Sequence, residues 1–231
     1  MKSSESETIG AKPVPAQPAG HTVVIAIDGT SGSGKSTVAK ALARHFGFVH
    51  VDTGAMYRAV TWHCLQRGVD CNDAAAVERA IAGMQSEFRL SNGRIVMFLH
   101  GADPGEALRS EAVTQNVSLV ARIPEVRAWL VKQQRGLLRF GSLVMEGRDI
   151  GSVVFPDTPF KFYVDADPAE RAARRAGDGY ADQVTRRDQL DSTRAVSPLV
   201  AAPGAFFVDT SKNTPQQTAA LVLSELKRRG L

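Results

Sequence analysis

The sequence predicts an α/β domain with a five-stranded parallel sheet covered by helices on both faces. Three observations predict it. Short apolar, β-branched runs alternate with segments of helical periodicity, the pattern of strands buried on both faces. The first such run leads directly into a glycine-rich loop and then a helix. The alternation is interrupted once, by a hairpin that reads as a small insert. The 231 residues, 43% of them hydrophobic, suffice for one well-covered core of this kind.

Residues 1–21 are rich in Ser, Glu, Pro, Ala and Lys and hold little to bury, so a disordered tail is expected there. The segment lacks the apolar stretch of a secretion signal. The domain is expected over 22–231. Residues 23–27 read as the first strand and 38–46 as the helix after the loop; 48–51 form a second strand. Residues 55–66 are helical, with Met56, Ala59, Val60, His63 and Cys64 as the buried face, and 74–84 form another helix. Residues 87–90 and 95–99 flank an Asn92-Gly93 turn, which predicts a hairpin. Two long helices are expected at 106–120 and 124–140. Strands follow at 143–145, 160–164 and 205–208, and helices at 168–176 and 215–229. The core is then 22–84 with 141–231, the insert about 85–125, and a lid about 174–190.

The loop Gly29-Thr30-Ser31-Gly32-Ser33-Gly34-Lys35-Ser36-Thr37 fits G-x-x-x-x-G-K-[ST]. Its glycines let the backbone curl until the N–H groups converge on phosphate oxygens. The helix N-terminus adds about half a positive charge at the same point. Lys35 can reach the outer phosphates, and the Ser36 hydroxyl can ligate Mg²⁺. A chance glycine-rich turn would not have both the strand before and the helix after, so the fold is read as the P-loop NTPase type.

The net charge is only +4, but arginines are concentrated. Arg122, Arg127, Arg135 and Arg139 fall in one segment, and Arg171, Arg174, Arg175, Arg186, Arg187 and Arg194 in another. A nucleic-acid surface would carry interleaved aromatics or a binding motif, and neither is present. Clamps on nucleotide phosphates account for them better, with the remainder on solvated helix faces. No apolar run reaches the roughly 18 residues of a membrane span. Cys64 and Cys71 lack metal-site spacing and read as reduced thiols of a cytoplasmic protein. The five scattered histidines suggest no metal cluster, and His63 reads as a packed side chain.

Further motifs point to the acceptor. Asp52-Thr53-Gly54-Ala55-Met56-Tyr57-Arg58 resembles the D-[ST]-G-x-x-Y-R segment of bacterial cytidylate kinases. Met145-Glu146-Gly147-Arg148-Asp149-Ile150-Gly151, followed by Val153-Val154-Phe155-Pro156, resembles that family's [DE]-G-R-D-[MI]-G-x-x-V-F-P. Residues 187–199 resemble its R-D-x-x-D-x-x-R-A-x-x-P-L. The hairpin insert, and Ser118 nine positions before Arg127, also sit where the family has them. The resemblance runs from about residue 23 to the C-terminus. It implies phosphoryl transfer from ATP to CMP or dCMP with Mg²⁺, within pyrimidine nucleotide metabolism.

The resemblance also implies roles. Arg58, Arg148 and Arg194 hold the acceptor phosphate, with Thr53 beside them. Arg187 is the lid arginine reaching the transferring group, so Lys35, Arg148, Arg187 and Arg194 form the catalytic set. Ser118, Arg127 and Asp149 read cytosine, whose amino group needs an acceptor and whose N3 and O2 suit a cation. Asp191 meets the sugar hydroxyls. Glu146 ends a strand and could hold Mg²⁺ through water or serve only as a hydrogen-bond acceptor, whereas Asp52 reads as fixing the turn. For each arginine the plain alternative is a surface ion pair. The lid departs from the family: the eleven residues 176–186 are fewer and less basic, and include Gly177 and Gly179. An enzyme with another acceptor, such as shikimate or AMP, would lack the hairpin and the E-G-R-D-I-G segment. A non-catalytic nucleotide-binding module would be expected to lose the acceptor-side arginines. The expected partners are ATP and CMP or dCMP, with no nucleic acid and no membrane, and the expected state is a monomer.

Overall fold

The structure is a computed structural model that describes residues 22–176 and 199–231. The tail, most of the expected lid, and the predicted site residues Arg187, Asp191 and Arg194 lie outside the described residues. Among those described, one sheet holds seven strands: β1 (Val24–Gly29), β2 (Val49–Asp52), β3 (Ser86–Ser91), β4 (Arg94–Leu99), β5 (Leu143–Gly147), β6 (Phe160–Asp165) and β7 (Phe206–Asp209). Their order is β3-β4-β2-β5-β1-β6-β7. The helices are α1 (Lys35–Phe46), α2 (Thr53–Gln66), α3 (Ala74–Ala82), α4 (Glu111–Ala121), α5 (Pro124–Gly136), α6 (Pro168–Ala176) and α7 (Pro215–Arg228).

The five strands expected to be parallel are so, with β1 central between β5 and β6. All six residues of β1 are buried, and alternate side chains feed opposite layers. Ile25 and Ile27 pack with Val38 and Leu42 of α1, Val144 of β5, and Val222 and Leu226 of α7. Ala26 joins the other layer, with Leu143 and Met145 of β5, Val60 of α2 and Leu130 of α5. Strands covered on both faces have no polar side to display, which is why they read as continuous apolar runs. The predicted buried face of α2, including His63 and Cys64, is buried.

The hairpin corrects the sequence reading. It does not stand apart from a five-stranded sheet. β4 runs parallel to β2, with Arg94 opposite His50, and His50 N–H donates to the Gly93 carbonyl at 2.9 Å. The hairpin thus covers the edge of β2, whose backbone groups would otherwise be unpaired. The outermost strand, β3, presents an exposed Glu87–Arg89 ion pair at 2.6 Å, and charge is a common protection for such an edge. Asn92 and Gly93 both have positive φ, 49° and 74°, as the expected tight turn needs.

Two predicted helices are also shorter than expected. The first is interrupted at Ser110, whose extended ψ of 154° ends a 3₁₀ turn (Gly105–Arg109) and caps α4 by accepting from Val113 N–H. The second ends at Gly136 and tightens into a 3₁₀ turn, Leu137–Phe140. A π-type turn, Ile150–Val154, follows β5 and has no counterpart in the sequence reading. The C-terminal ends of β1, β2 and β5 lie side by side, where an α/β sheet opens its ligand crevice. Among the described residues no helix is long and apolar enough to cross a membrane, and both cysteines are free and buried.

Candidate active site

The phosphate loop leaves β1 through a position that only glycine can fill. A Cβ on Gly29 would stand 1.9 Å from the Val164 carbonyl oxygen of β6. Gly34 has φ +86° immediately before α1, a left-handed geometry that turns the chain into the helix.

Three consecutive loop carbonyls are held by side chains from the neighbouring elements. Ser31 O accepts from Arg171 at 3.3 Å, Gly32 O from Arg174 at 3.4 Å, and Ser33 O from the Thr210 hydroxyl at 2.8 Å. In a trans peptide the carbonyl of one residue and the N–H of the next point in opposite directions. Drawing these carbonyls toward α6 and Thr210 therefore aims the N–H groups of residues 32–34 away from them, as an anion cradle requires. The Thr30 hydroxyl donates to Asp165 at 2.5 Å, and Lys35 Nζ donates to the Thr30 carbonyl at 2.9 Å. Sequence reasoning misses Asp165 and Thr210, and assigns Arg171 and Arg174 to phosphates rather than to the loop. The available signal is position: Asp165 ends β6 and the arginines fall on successive turns of the helix that follows.

Beside the loop, Ser36 Oγ donates to Glu146 Oε2 at 2.5 Å, and His50 Nε2 lies 2.9 Å from Glu146 Oε1. Glu146 is buried. Burial works to raise its carboxyl, but the His50 contact, the Lys35 charge and the Ser36 hydroxyl together hold it below the ordinary range. Both expected Mg²⁺ residues are therefore adjacent, and a hydroxyl beside a carboxylate is a hard oxygen set that suits this ion with water completing the shell. Among the described residues no cluster of three or more His, Cys, Asp and Glu could form a protein-only metal cage. His50 is a partner the sequence reading missed, although a histidine within a buried β-branched strand is a visible anomaly. Thr53 donates its hydroxyl to the Glu146 carbonyl at 2.7 Å, and Asp52 caps α2 by accepting from Ala55 N–H at 3.0 Å, fixing the turn as expected.

The residues expected to serve the acceptor lie on α2, α4 and α5 and in the turn after β5. Arg58 of α2 donates to the Leu108 carbonyl at 3.2 Å and to Thr114 Oγ1 at 3.0 Å. Ser118 is buried one turn further along α4. Arg127 of α5 is 2% exposed; it donates to the Ala121 carbonyl at 3.0 Å and to Asp149, and its guanidinium carbon lies 5.5 Å from the centre of the Tyr57 ring. Arg127 Nε is buried with no hydrogen-bond partner among the described residues. Arg148 donates to the Gly147 carbonyl at 3.3 Å. The structure thus joins Arg127 to Asp149 directly, with Ser118 on the adjoining helix. His63 is a packed histidine, 3.1 Å from the Ala80 carbonyl.

This chain resembles known proteins over most of its length. A family model described as cytidylate kinase matches residues 25–228. A cytidylate kinase of Pelotomaculum thermopropionicum is 42% identical over 87% of this chain and 95% of its own. One of Mycobacterium leprae is 45% identical over 90% of this chain and 96% of its own. One of Caldanaerobacter subterraneus is 40% identical, again over 90% and 96%.

Proposed function

The chain belongs to the cytidylate kinase family, and from that premise we propose that it transfers the γ-phosphoryl group of ATP to CMP or dCMP. The observation that carries the reading is that the two halves of the site adjoin. Asp28, last before the phosphate loop, sits opposite Gly147, which opens the Arg148-Asp149 turn on the neighbouring strand. A donor phosphate on one loop and an acceptor on the other would then meet over the ends of β1 and β5.

Phosphoryl transfer needs little covalent chemistry from the protein; it needs two phosphates held in line and their charge neutralised. The N–H groups of the loop would cradle the ATP phosphates, and Lys35 would leave the Thr30 carbonyl for the outer ones. Arg58 and Arg148 would hold the CMP phosphate, joined by Arg194, while Arg187 reaches the transferring group. Asp149 would accept from the cytosine amino group, Arg127 would donate to N3 or O2, and Ser118 would complete the base site. Asp191 would meet the sugar. Mg²⁺, held through Ser36 and through Glu146 with intervening water, would supply charge neutralisation on the transferring phosphates. The same reading takes the protein as a cytoplasmic monomer working on small molecules, with neither nucleic acid nor a membrane as partner.

The test is an ADP-release assay with CMP, dCMP, UMP and AMP as acceptors. CMP and dCMP should give the highest kcat/KM. A clear preference for AMP or UMP, or no transfer to any of the four, would reject the assignment.

A further inference from the structure

Asp28 is the last residue before the phosphate loop, and its side chain does not serve that loop. It is 2% exposed. Its Oδ1 accepts from Ile150 N–H at 2.8 Å and its Oδ2 from Gly151 N–H at 2.8 Å. These are the first two amides of the π-type turn. Later amides are satisfied inside it: Val153 and Val154 donate to the Asp149 carbonyl at 2.9 and 3.2 Å, and Phe155 donates to the Ile150 carbonyl at 2.7 Å. The first amides of any helical turn have no internal acceptor. Here the acceptor comes from another strand, far away in sequence.

The far end of the turn is also held from outside. Arg135 of α5 donates to the carbonyls of Val153 and Val154, each at 2.9 Å. Between these anchors the chain has little freedom, and Arg148 and Asp149 immediately precede the gripped amides. At Gly147 a Cβ would stand 2.6 Å from Thr53 Oγ1 and 2.7 Å from Ile150 Cδ1, so the entry to the turn is equally close-packed. Burial pushes the Asp28 carboxyl up to about 7, although both amides act to lower it.

We propose that Asp28 is a positioning residue for the acceptor nucleotide: its grip on Ile150 and Gly151 sets the pose of Arg148 and Asp149 relative to the phosphate loop. The inference rests on the CMP reading above. Asp28 touches no substrate itself; it acts through the two side chains it aims.

The test compares wild type with Asp28→Asn and Asp28→Ser. Asn turns one acceptor into a donor that faces an N–H group, and Ser offers a single short acceptor. Binding of CMP, UMP and ATP is measured separately by calorimetry, followed by KM for each substrate and the thermal midpoint. The CMP dissociation constant should rise about tenfold or more and the CMP-to-UMP ratio should narrow, because the base-reading carboxylate is no longer aimed. The ATP dissociation constant should stay within about threefold. A merely structural role would weaken both nucleotides together, or would lower only the thermal midpoint, and either result overturns the proposal. So does a failure of both variants to fold. If wild type itself does not bind CMP, the functional reading fails first, and that failure is seen without any variant.

Discussion

Arg127 of α5 and Asp149 in the turn after β5 form a buried ion pair, although 22 positions separate them in the chain. Their side chains are 2% and 6% exposed, so neither charge is screened by bulk water. The pair sets a donor beside an acceptor under the Tyr57 ring. That combination suits the edge of cytosine, which offers an amino donor next to ring acceptors.

Asp149→Asn should narrow the preference for CMP over UMP. Uracil presents a carbonyl where cytosine has its amino group, and a carboxylate repels it. Sites built on such a hydrogen bond discriminate by factors on the order of 10³ or more. The measurement is kcat/KM for both nucleotides, and an unchanged ratio would remove Asp149 from base reading. Arg127→Met leaves the buried Asp149 charge without its partner, which costs about 3–5 kcal/mol. A fall in the thermal midpoint of roughly 10 °C is expected.

Lys35→Ala should lower turnover by roughly 10²-fold while the protein remains folded, because the lysine charge matters most as charge grows on the transferring group. In the structure Lys35 donates to the Thr30 carbonyl, a contact within the loop itself. Its loss should leave the thermal midpoint within a few degrees. Turnover within threefold of wild type in a folded Lys35→Ala protein would count against the loop as the ATP site.

Thr210→Val keeps the shape of the side chain but removes the hydroxyl that donates to Ser33 O and accepts from Arg174 at 3.0 Å. A buried group left without its partner costs about 1–3 kcal/mol. KM for ATP should rise roughly tenfold, with KM for CMP nearly unchanged. This is the reverse of the pattern expected for Asp28→Asn. If Thr210→Val raises both values equally, the bracing of the loop is not specific to the donor side.

The end of α7 predicts a pH dependence. Glu225 accepts from Arg228 at 2.6 and 2.7 Å and from Arg229 at 2.6 Å. Arg229 also reaches the carbonyls of Pro159 at 2.7 Å and Gly204 at 3.1 Å, tying the helix to the sheet. The hydrogen bonds from Arg228 and then Arg229 hold the Glu225 carboxyl down to about 2, from an ordinary 4.5. The folded value lies below the unfolded one, so this contribution is complete above about 4.5 and fades as pH falls toward 2. Glu225→Gln should therefore melt lower than wild type at pH 7, and the gap should close by pH 2. A gap of constant size across that range would assign the effect to packing instead of charge.

Much of the fold was legible in the chain. The parallel strands were readable because a strand buried on both faces must be apolar throughout, and the hairpin because Asn92-Gly93 favours only a few turn types. Where that hairpin docks was not readable. Pairing of β4 with β2 answers an unsatisfied strand edge, a need that appears only once β2 is in the sheet. The break at Ser110 was also hidden, since a serine is tolerated on a helix surface and becomes a cap only when the chain before it turns away.

The site divides along the same line. The sequence by itself determined the loop from Gly29 to Thr37 and the residue types for an acceptor, because these motifs are contiguous and their chemistry depends on local backbone shape. Only the tertiary structure decided that Asp165, Arg171, Arg174 and Thr210 brace the phosphate loop, that His50 and Ser36 share Glu146, that Arg127 meets Asp149, and that Asp28 grips the turn beyond Arg148. Each of these partnerships joins groups distant along the chain. Each exists because a buried polar group must find a partner wherever the sheet has brought one, and sheet order is a property of the whole molecule that no short motif contains.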